Sequence, residues 1–190
     1  ILNGAYADAF IVDAVQGGAG TSANMNVNEV IANRAIEILG GRKGDYSVVH
    51  PNDHVNLAQS TNDVIPTAGK MTVIDLMQPL LLSLHMLALS FDGKAKEFDD
   101  IVKMGRTQLQ DAVPVRLGQE FAAYAAVVRR DIGRIEAAER EMHAVNLGGS
   151  AIGTSINVPP EYLENITRVL SGICGYEIRI AENLIDATQN

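Results

Sequence analysis

Apolar side chains recur three and four residues apart in several long stretches of this chain, and short polar residues gather between them. Within Asn24–Leu39, the positions Val27, Val30, Ile31, Ala35, Ile38 and Leu39 are at helical spacing, and Gly40–Gly41 mark a stop. The spacing of Met71, Ile74, Leu76, Met77, Leu80, Leu81, Leu84 and Leu87 predicts one helix from about Asn62 to Glu97. Pro79 should kink it, because proline removes a backbone donor and crowds the preceding turn. Ile101–Met104 reads as a short extended piece leading into a loop, GRTQLQDAVP. Pro114 is expected to open a second long helix reaching about Val145, with Leu117, Phe121, Tyr124, Val128, Ile132, Ile135 and Met142 as its apolar positions. A glycine-rich loop, NLGGSAIGTSIN, follows, and Pro159–Pro160 begin a third helix that ends near Gly172.

A helix of about 30 residues is roughly 45 Å long at 1.5 Å per residue. That exceeds the width of a compact globule of 190 residues. Such helices need neighbours along their length, and other chains are the natural source. The fold class expected is therefore all-α, a long-helix bundle completed by oligomerisation.

Composition agrees. Hydrophobic residues make up 47% of the chain, aromatic residues only 5%, and tryptophan is absent, a mix suited to packed helices. A net charge of −8 argues against nucleic acid as a partner, since phosphate contacts need clustered Lys and Arg. No uninterrupted apolar run reaches the roughly 18 to 20 residues of a membrane span, because Gln78, Pro79, Ser83 and His85 break the best candidate. No basic segment precedes a short apolar core at the start, so no signal peptide is expected. Cys174 stands alone, which excludes an internal disulfide or a cysteine-based zinc site and suits a reducing cytoplasm. The chain begins at Ile1 inside an apolar pattern and stops in AENLIDATQN, as if opening another helix, so it reads as a piece of a longer protein.

The polar segments carry the chemistry. PNDHVNLAQSTNDVIPT, residues 51–67, places Ser60, Thr61, Asn62 and Asp63 at the start of the longest predicted helix. Each of these residue types caps helices well, and Pro66 fits a first turn. One cap suffices, however, and four such residues also suit an anion held by helix amides and hydroxyls without arginine. GGAGTSANMN, residues 17–26, has three glycines, with Thr21 or Ser22 before a helix. It lacks the spacing of a dinucleotide fingerprint or of a phosphate loop. In GRTQLQDAVP, Thr107 and Gln108 follow a glycine in the same way. His50 and His54 flank Asn52 and Asp53, but that spacing is a poor zinc pattern, and no metal is expected. His85 reads as a core or interface residue, and His143 lies near a helix end.

Three of these segments, GGAGTSANMNVNEVIANRAIEILG, HPNDHVNLAQSTNDVIPT and MGRTQLQDAVPVRLGQEFAAY, resemble the aspartase/fumarase superfamily in order and spacing. NLGGSAIGTSIN and AENLIDATQN continue the match over nearly the whole chain. QSTND, Gln108 within GRTQLQDAVP, and LIDATQN are closer to the aspartase form. His50-Pro51-Asn52-Asp53 is closer to the fumarase form, so fumarate hydration stays open as the alternative.

The resemblance implies a homotetramer around a central helical bundle, with residues 1–60 ending an N-terminal domain and 61–190 belonging to the bundle domain. It implies elimination of ammonia from L-aspartate to give fumarate through an aci-carboxylate intermediate, without a cofactor. Thr21, Ser60, Thr61, Asn62, Thr107 and Gln108 would contact the dicarboxylate, and His50, Asn52 and Asp53 match a secondary dicarboxylate site of fumarases. The superfamily's signature loop, of the form GSSxMPxKxN, normally supplies a serine base and a substrate-binding lysine and is absent from these residues. No catalytic base is therefore identified here. Ser150 or Ser155 would be the substitute, and a non-catalytic assembly module is the reading from a different class.

Overall fold

The computed structural model describes residues 1–15 and 18–190; Gly17, the first glycine of the segment at 17–26, lies outside them. The chain divides into two compact units, one made of Ile1–Met71 with His143–Asn190, the other of Thr72–Met142. Helices dominate both, as the apolar periodicity predicts, with two small two-stranded sheets added.

The first unit contains α1 (Thr21–Ile38), the opening turns of α2 (Thr61–Glu97), β3 (Ala144–Val145), α4 (Pro160–Cys174), β4 (Arg179–Ile180) and α5 (Leu184–Gln189). The end of α1 follows directly from its glycines. Gly40 adopts φ +81°, its N–H bonds to the Glu37 carbonyl at 3.1 Å, and the Gly41 N–H returns to the Ile36 carbonyl at 2.9 Å. This paired closure satisfies carbonyls that a helix end leaves open. The buried face of α1 differs from the expected apolar one: Asn24, Asn28, Ala32 and Ile36 are buried, while Val27, Ile31, Ile38 and Leu39 are exposed. Two amides can lie inside because they find partners there, described below. Between α1 and α2, Pro51–Val55 form a single π-helical turn within what reads from sequence as irregular chain. β3 and β4 pair in parallel, with α4 as their crossover, and Val145, Leu147 and Ile178 are buried around them.

The second unit holds the rest of α2, a hairpin of β1 (Val102–Thr107) and β2 (Gln110–Arg116), and α3 (Leu117–Met142). α2 runs on through Pro79 as one helix, as its length predicted. α2 and α3 pack antiparallel, with Phe98 against Phe121 at 5.2 Å between ring centroids and Phe91 against Tyr124 at 5.7 Å. Farther along, Gln78 Nε2 donates to Glu139 at 2.8 Å. Ile74, Leu81, Ala88, Ala125 and Ile132 are the buried apolar residues of this unit.

Two expectations are corrected. Pro114 does not open a helix; it sits in β2 opposite Met104, and α3 starts three residues later at Leu117. The extended piece and loop are instead a hairpin, because residues on both sides of Gln108–Leu109 find ladder partners. By length and composition alone, α2 contains a window apolar enough to cross a membrane, and only 17% of that window is buried. The core helix of a soluble protein passes the same test, and Asp75, Gln78, Ser83 and His85 interrupt the apolar stretch.

Gly118 shows how closely the hairpin and helices are joined. A Cβ there would stand 2.3 Å from the Ala95 carbonyl oxygen and 2.8 Å from Asp99 Cα, both backbone atoms that cannot turn aside. Gly118→Ala is expected to destabilise by roughly 2 kcal/mol or more. Gly133→Ala, at a helical position with open space, should stabilise by about 0.5–1 kcal/mol. Urea denaturation of both variants checks the pair, and equal effects would refute the packing argument.

Candidate active site

The first turn of α2 is held by a reciprocal cap. Ser60 Oγ accepts from the Asn62 N–H at 3.2 Å, and Asp63 Oδ1 accepts from the Ser60 N–H at 3.0 Å. This is a capping box with aspartate in the position more often held by glutamate. Asp63 has a second role through its other oxygen. Oδ2 accepts from the Gly148 N–H at 3.1 Å and the Ser150 N–H at 2.8 Å. Gly148 and Ser150 both take left-handed backbone, at φ +88° and +60°, which aims two successive turns of loop at one carboxylate oxygen. Asp63 is 0% exposed and ties the glycine-rich loop to the start of α2.

Burial pushes the Asp63 carboxyl above its ordinary range, while the N–H groups of Ser60, Ser150 and Gly148 pull it back down. Nearby, burial and then the Asp63 charge push the Tyr162 phenol up to about 12. The loop is fastened at further points. Asn62 Nδ2 donates to the Ala151 carbonyl at 2.7 Å, and Asn146 Nδ2 donates to the Asn62 carbonyl at 2.9 Å. Asn146 also donates to Thr188 Oγ1 at 3.2 Å, whose own hydroxyl donates to Leu184.

α1 brings its first turn to the same place. Its N-cap is Gly20, at φ +85°, with no side-chain cap, and a Cβ there would meet Ile65 of α2 at 3.0 Å. Thr21 and Ser22 do not precede the helix, as the sequence suggests, but form its exposed first residues. One turn on, Asn24 Nδ2 donates to Thr61 Oγ1 at 3.0 Å and to Asn56 Oδ1 at 3.3 Å, and Asn28 Nδ2 donates to the same Asn56 oxygen at 3.0 Å. Thr21, Ser60, Thr61 and Asn62 thus surround the adjoining first turns of two helices in the first unit.

Thr107 and Gln108 belong to the second unit. Thr107 ends β1 paired with Gln110, and Gln108 and Leu109 form the two-residue turn at φ +50° and +61°. Both central residues at positive φ match the twist of a tight hairpin, at a cost of order 1 kcal/mol each when neither is glycine. Both Thr107 and Gln108 are exposed.

Asn52 and Asp53 lie in the π-helical turn Pro51–Val55, and His50 is its N-cap. His50 Nδ1 accepts from the Asn52 and Asp53 N–H groups, each at 3.2 Å, and the His50 N–H donates to His54 Nδ1 at 2.8 Å. The His50 ring nitrogen is therefore occupied in capping its own turn. His85 is exposed on α2, and the His143 ring nitrogen Nδ1 meets the Glu177 carbonyl. Ser155, like Ser150, takes positive φ, at +57°.

Asn24, Asn28, Asn56 and Asn146 escape a reading based on apolar periodicity. The signal for two of them was present, since Asn24 and Asn28 stand four apart on one helical face. Asp63 was legible as a cap; its bonds to residues 148 and 150, far along the chain, were not.

Comparison with known proteins adds an independent finding. A family model described as lyase matches residues 1–190. The chain is 53% identical over 190 residues to the aspartate ammonia-lyase of Bacillus subtilis (strain 168), covering all of this chain and 40% of that protein. It is 51% identical to the Helicobacter pylori (strain ATCC 700392 / 26695) aspartate ammonia-lyase, covering 100% of the chain and 41% of that protein. Among solved structures, a fumarate lyase:delta crystallin from Brucella melitensis bound to cobalt superposes with a TM-score of 0.90 at 50% identity, over 98% of this chain and 41% of that one. A class II fumarase from Schistosoma mansoni gives 0.87 at 33% identity, over 97% and 42%. The chain thus spans about 40% of the length of the curated relatives it matches.

Two outcomes follow from the Asp63 cluster. Asp63→Asn keeps the volume but offers one acceptor oxygen to three N–H donors and sets its own NH₂ against them. It should cost about 1–3 kcal/mol in urea denaturation, and an unchanged midpoint would deny the cluster its role. For Tyr162, the folded phenol is harder to ionise than the unfolded one at about 10. Its contribution is present below pH of about 10 and is lost as pH rises toward about 12. Wild type should lose more stability over that window than Tyr162→Phe, and equal losses would contradict the assignment.

Proposed function

We propose that this chain, which belongs to the lyase family, carries substrate-binding segments of an aspartate ammonia-lyase. The observation that carries the reading is the 53% identity, unbroken over all 190 residues, to a protein of that activity. The geometry supports it. Thr21 begins α1, Ser60, Thr61 and Asn62 begin α2, and the bond from Asn24 to Thr61 joins these two helix N-termini, whose partial positive charge favours an anion. Thr107 and Gln108 are proposed as further donors to the dicarboxylate.

In the reaction, a base takes a proton from the carbon next to the β-carboxylate of L-aspartate. The electron pair moves into that carboxylate and gives an aci-carboxylate. The pair then returns to form the double bond of fumarate as the carbon–nitrogen bond breaks and ammonia leaves. Donors fixed in advance stabilise the added charge without reorganising. Thr61, Asn62, Thr107 and Gln108 are the candidates here, and the base is proposed to lie outside these residues. No cofactor is part of the scheme. His50, Asn52 and Asp53 are retained as a proposed secondary dicarboxylate site. The exposed apolar residues of α2 and α3, among them Leu76, Leu80, Leu87 and Val127, support burial against further copies in a homotetramer. The isolated cysteine supports a cytoplasmic location.

The fumarase likeness motivates the competing substrate. Full-length protein should form fumarate, followed by its ultraviolet absorbance, together with one ammonia per turnover from L-aspartate and none from L-malate. Thr61→Val should lower kcat/KM for aspartate about 10²-fold, as expected for loss of one fixed donor. Fumarate from malate alone would replace this reading with hydration.

A further inference from the structure

We infer that Asn24 is a positioning residue that keeps the Thr61 hydroxyl turned outward as a hydrogen-bond donor for a substrate carboxylate. The inference rests on the aspartate ammonia-lyase reading above and adds to it the device that sets the direction of one donor.

The direction is fixed by a chain of necessity that begins at a backbone carbonyl. The Gln59 carbonyl can only accept, and Asn56 lies 3.2 Å from it, so Asn56 presents its Nδ2 there. Its Oδ1 must then face the other way, where Asn28 stands at 3.0 Å and Asn24 at 3.3 Å. Facing an acceptor, Asn24 presents its own Nδ2, and that nitrogen also reaches Thr61 Oγ1 at 3.0 Å. Asn24 offers Thr61 an N–H and no acceptor. The Thr61 oxygen therefore receives a hydrogen bond from inside the protein, and its own hydrogen has no inward use. Among the described residues that hydrogen has no acceptor.

Burial makes the arrangement rigid. Asn24 is 4% exposed and Asn28 5%, so water does not compete for their amides, whereas Thr61 is half-buried and reachable. A lone surface threonine rotates its hydroxyl among several partners. Here the rotation is settled before any ligand arrives, and the hydroxyl accepts from Asn24 while it donates to an anion. Donation is worth most when negative charge grows on the carboxylate, which is the step the elimination passes through. Asn24 thereby acts on the reaction without touching the substrate.

A double-mutant cycle in the full-length protein tests this, with Asn24→Ala, Thr61→Val and both together, measured as kcat/KM for L-aspartate. Thr61→Val should lose about 10²-fold and Asn24→Ala about tenfold, mostly in kcat. The double variant should fall within about threefold of Thr61→Val alone, because once the hydroxyl is gone Asn24 has nothing to orient. If the losses multiply to about 10³-fold, Asn24 serves only packing and the inference is overturned. Melting temperatures of each variant separate folding from kinetics. Should Asn24→Ala not fold, Asn24→Ser, which keeps a smaller donor, carries the same cycle. A wild-type protein that releases no fumarate from aspartate would instead overturn the functional reading, and this inference with it.

Discussion

One buried carboxylate organises the first unit. Asp63 closes the cap of α2 with one oxygen and gathers two N–H groups of the 148–150 loop with the other. A carboxylate can do this because it carries about four lone-pair sites and no donor. Neutral side chains of similar size offer one oxygen at most. The cost is desolvation of a charge, which the three N–H dipoles offset only in part, so the carboxyl stays above its ordinary range. The Tyr162 phenol registers the same charge as a further barrier to its own ionisation.

That anchor decides what the neighbouring residues can do. With Asp63 turned inward, Thr61 and Asn62 stand at the first turn of α2 with fixed backbone. Asn62 then secures Ala151 through its side chain and Asn146 through its carbonyl. The amide chain from Gln59 through Asn56 to Asn24 adds orientation to position. The result is a polar patch at the first turn of α2 whose hydrogen bonds are set by buried amides, with Thr61 Oγ1 accepting from Asn24 and the Asn62 amide engaged by Ala151. The buried amides occupy the helix face that apolar residues would normally take, and each one finds a partner.

The second unit follows a different logic. Its helices are long, and much of their apolar surface is exposed, including Leu82, Met86 and Leu89. Exposed apolar area on this scale favours further burial. The hairpin at its end places Gln108 on a strained turn directly after Thr107, with φ +50° at Gln108 and +61° at Leu109. Strain of this kind persists where surrounding structure holds it, and β1–β2 pairing with the ion pairs Lys103–Glu120 and Arg106–Asp111 supplies that hold.

The amino-acid sequence by itself determined the helices and the local chemistry. Apolar spacing sets α2 as one element, glycines end α1, prolines open α4, and the run Ser60–Asp63 announces a capped helix start. These depend on contacts within a few residues, which a linear pattern carries. Only the tertiary structure decided that Pro114 lies in a strand, because a hairpin is stabilised by cross-strand partners and not by its own propensity. Only the tertiary structure turned Asn24 and Asn28 inward and gave Asp63 the pair of donors on its second oxygen. Those bonds join residues 28 to 87 positions apart. A buried polar group is tolerated only where its partner is delivered by the fold, and no local pattern states where that partner will be.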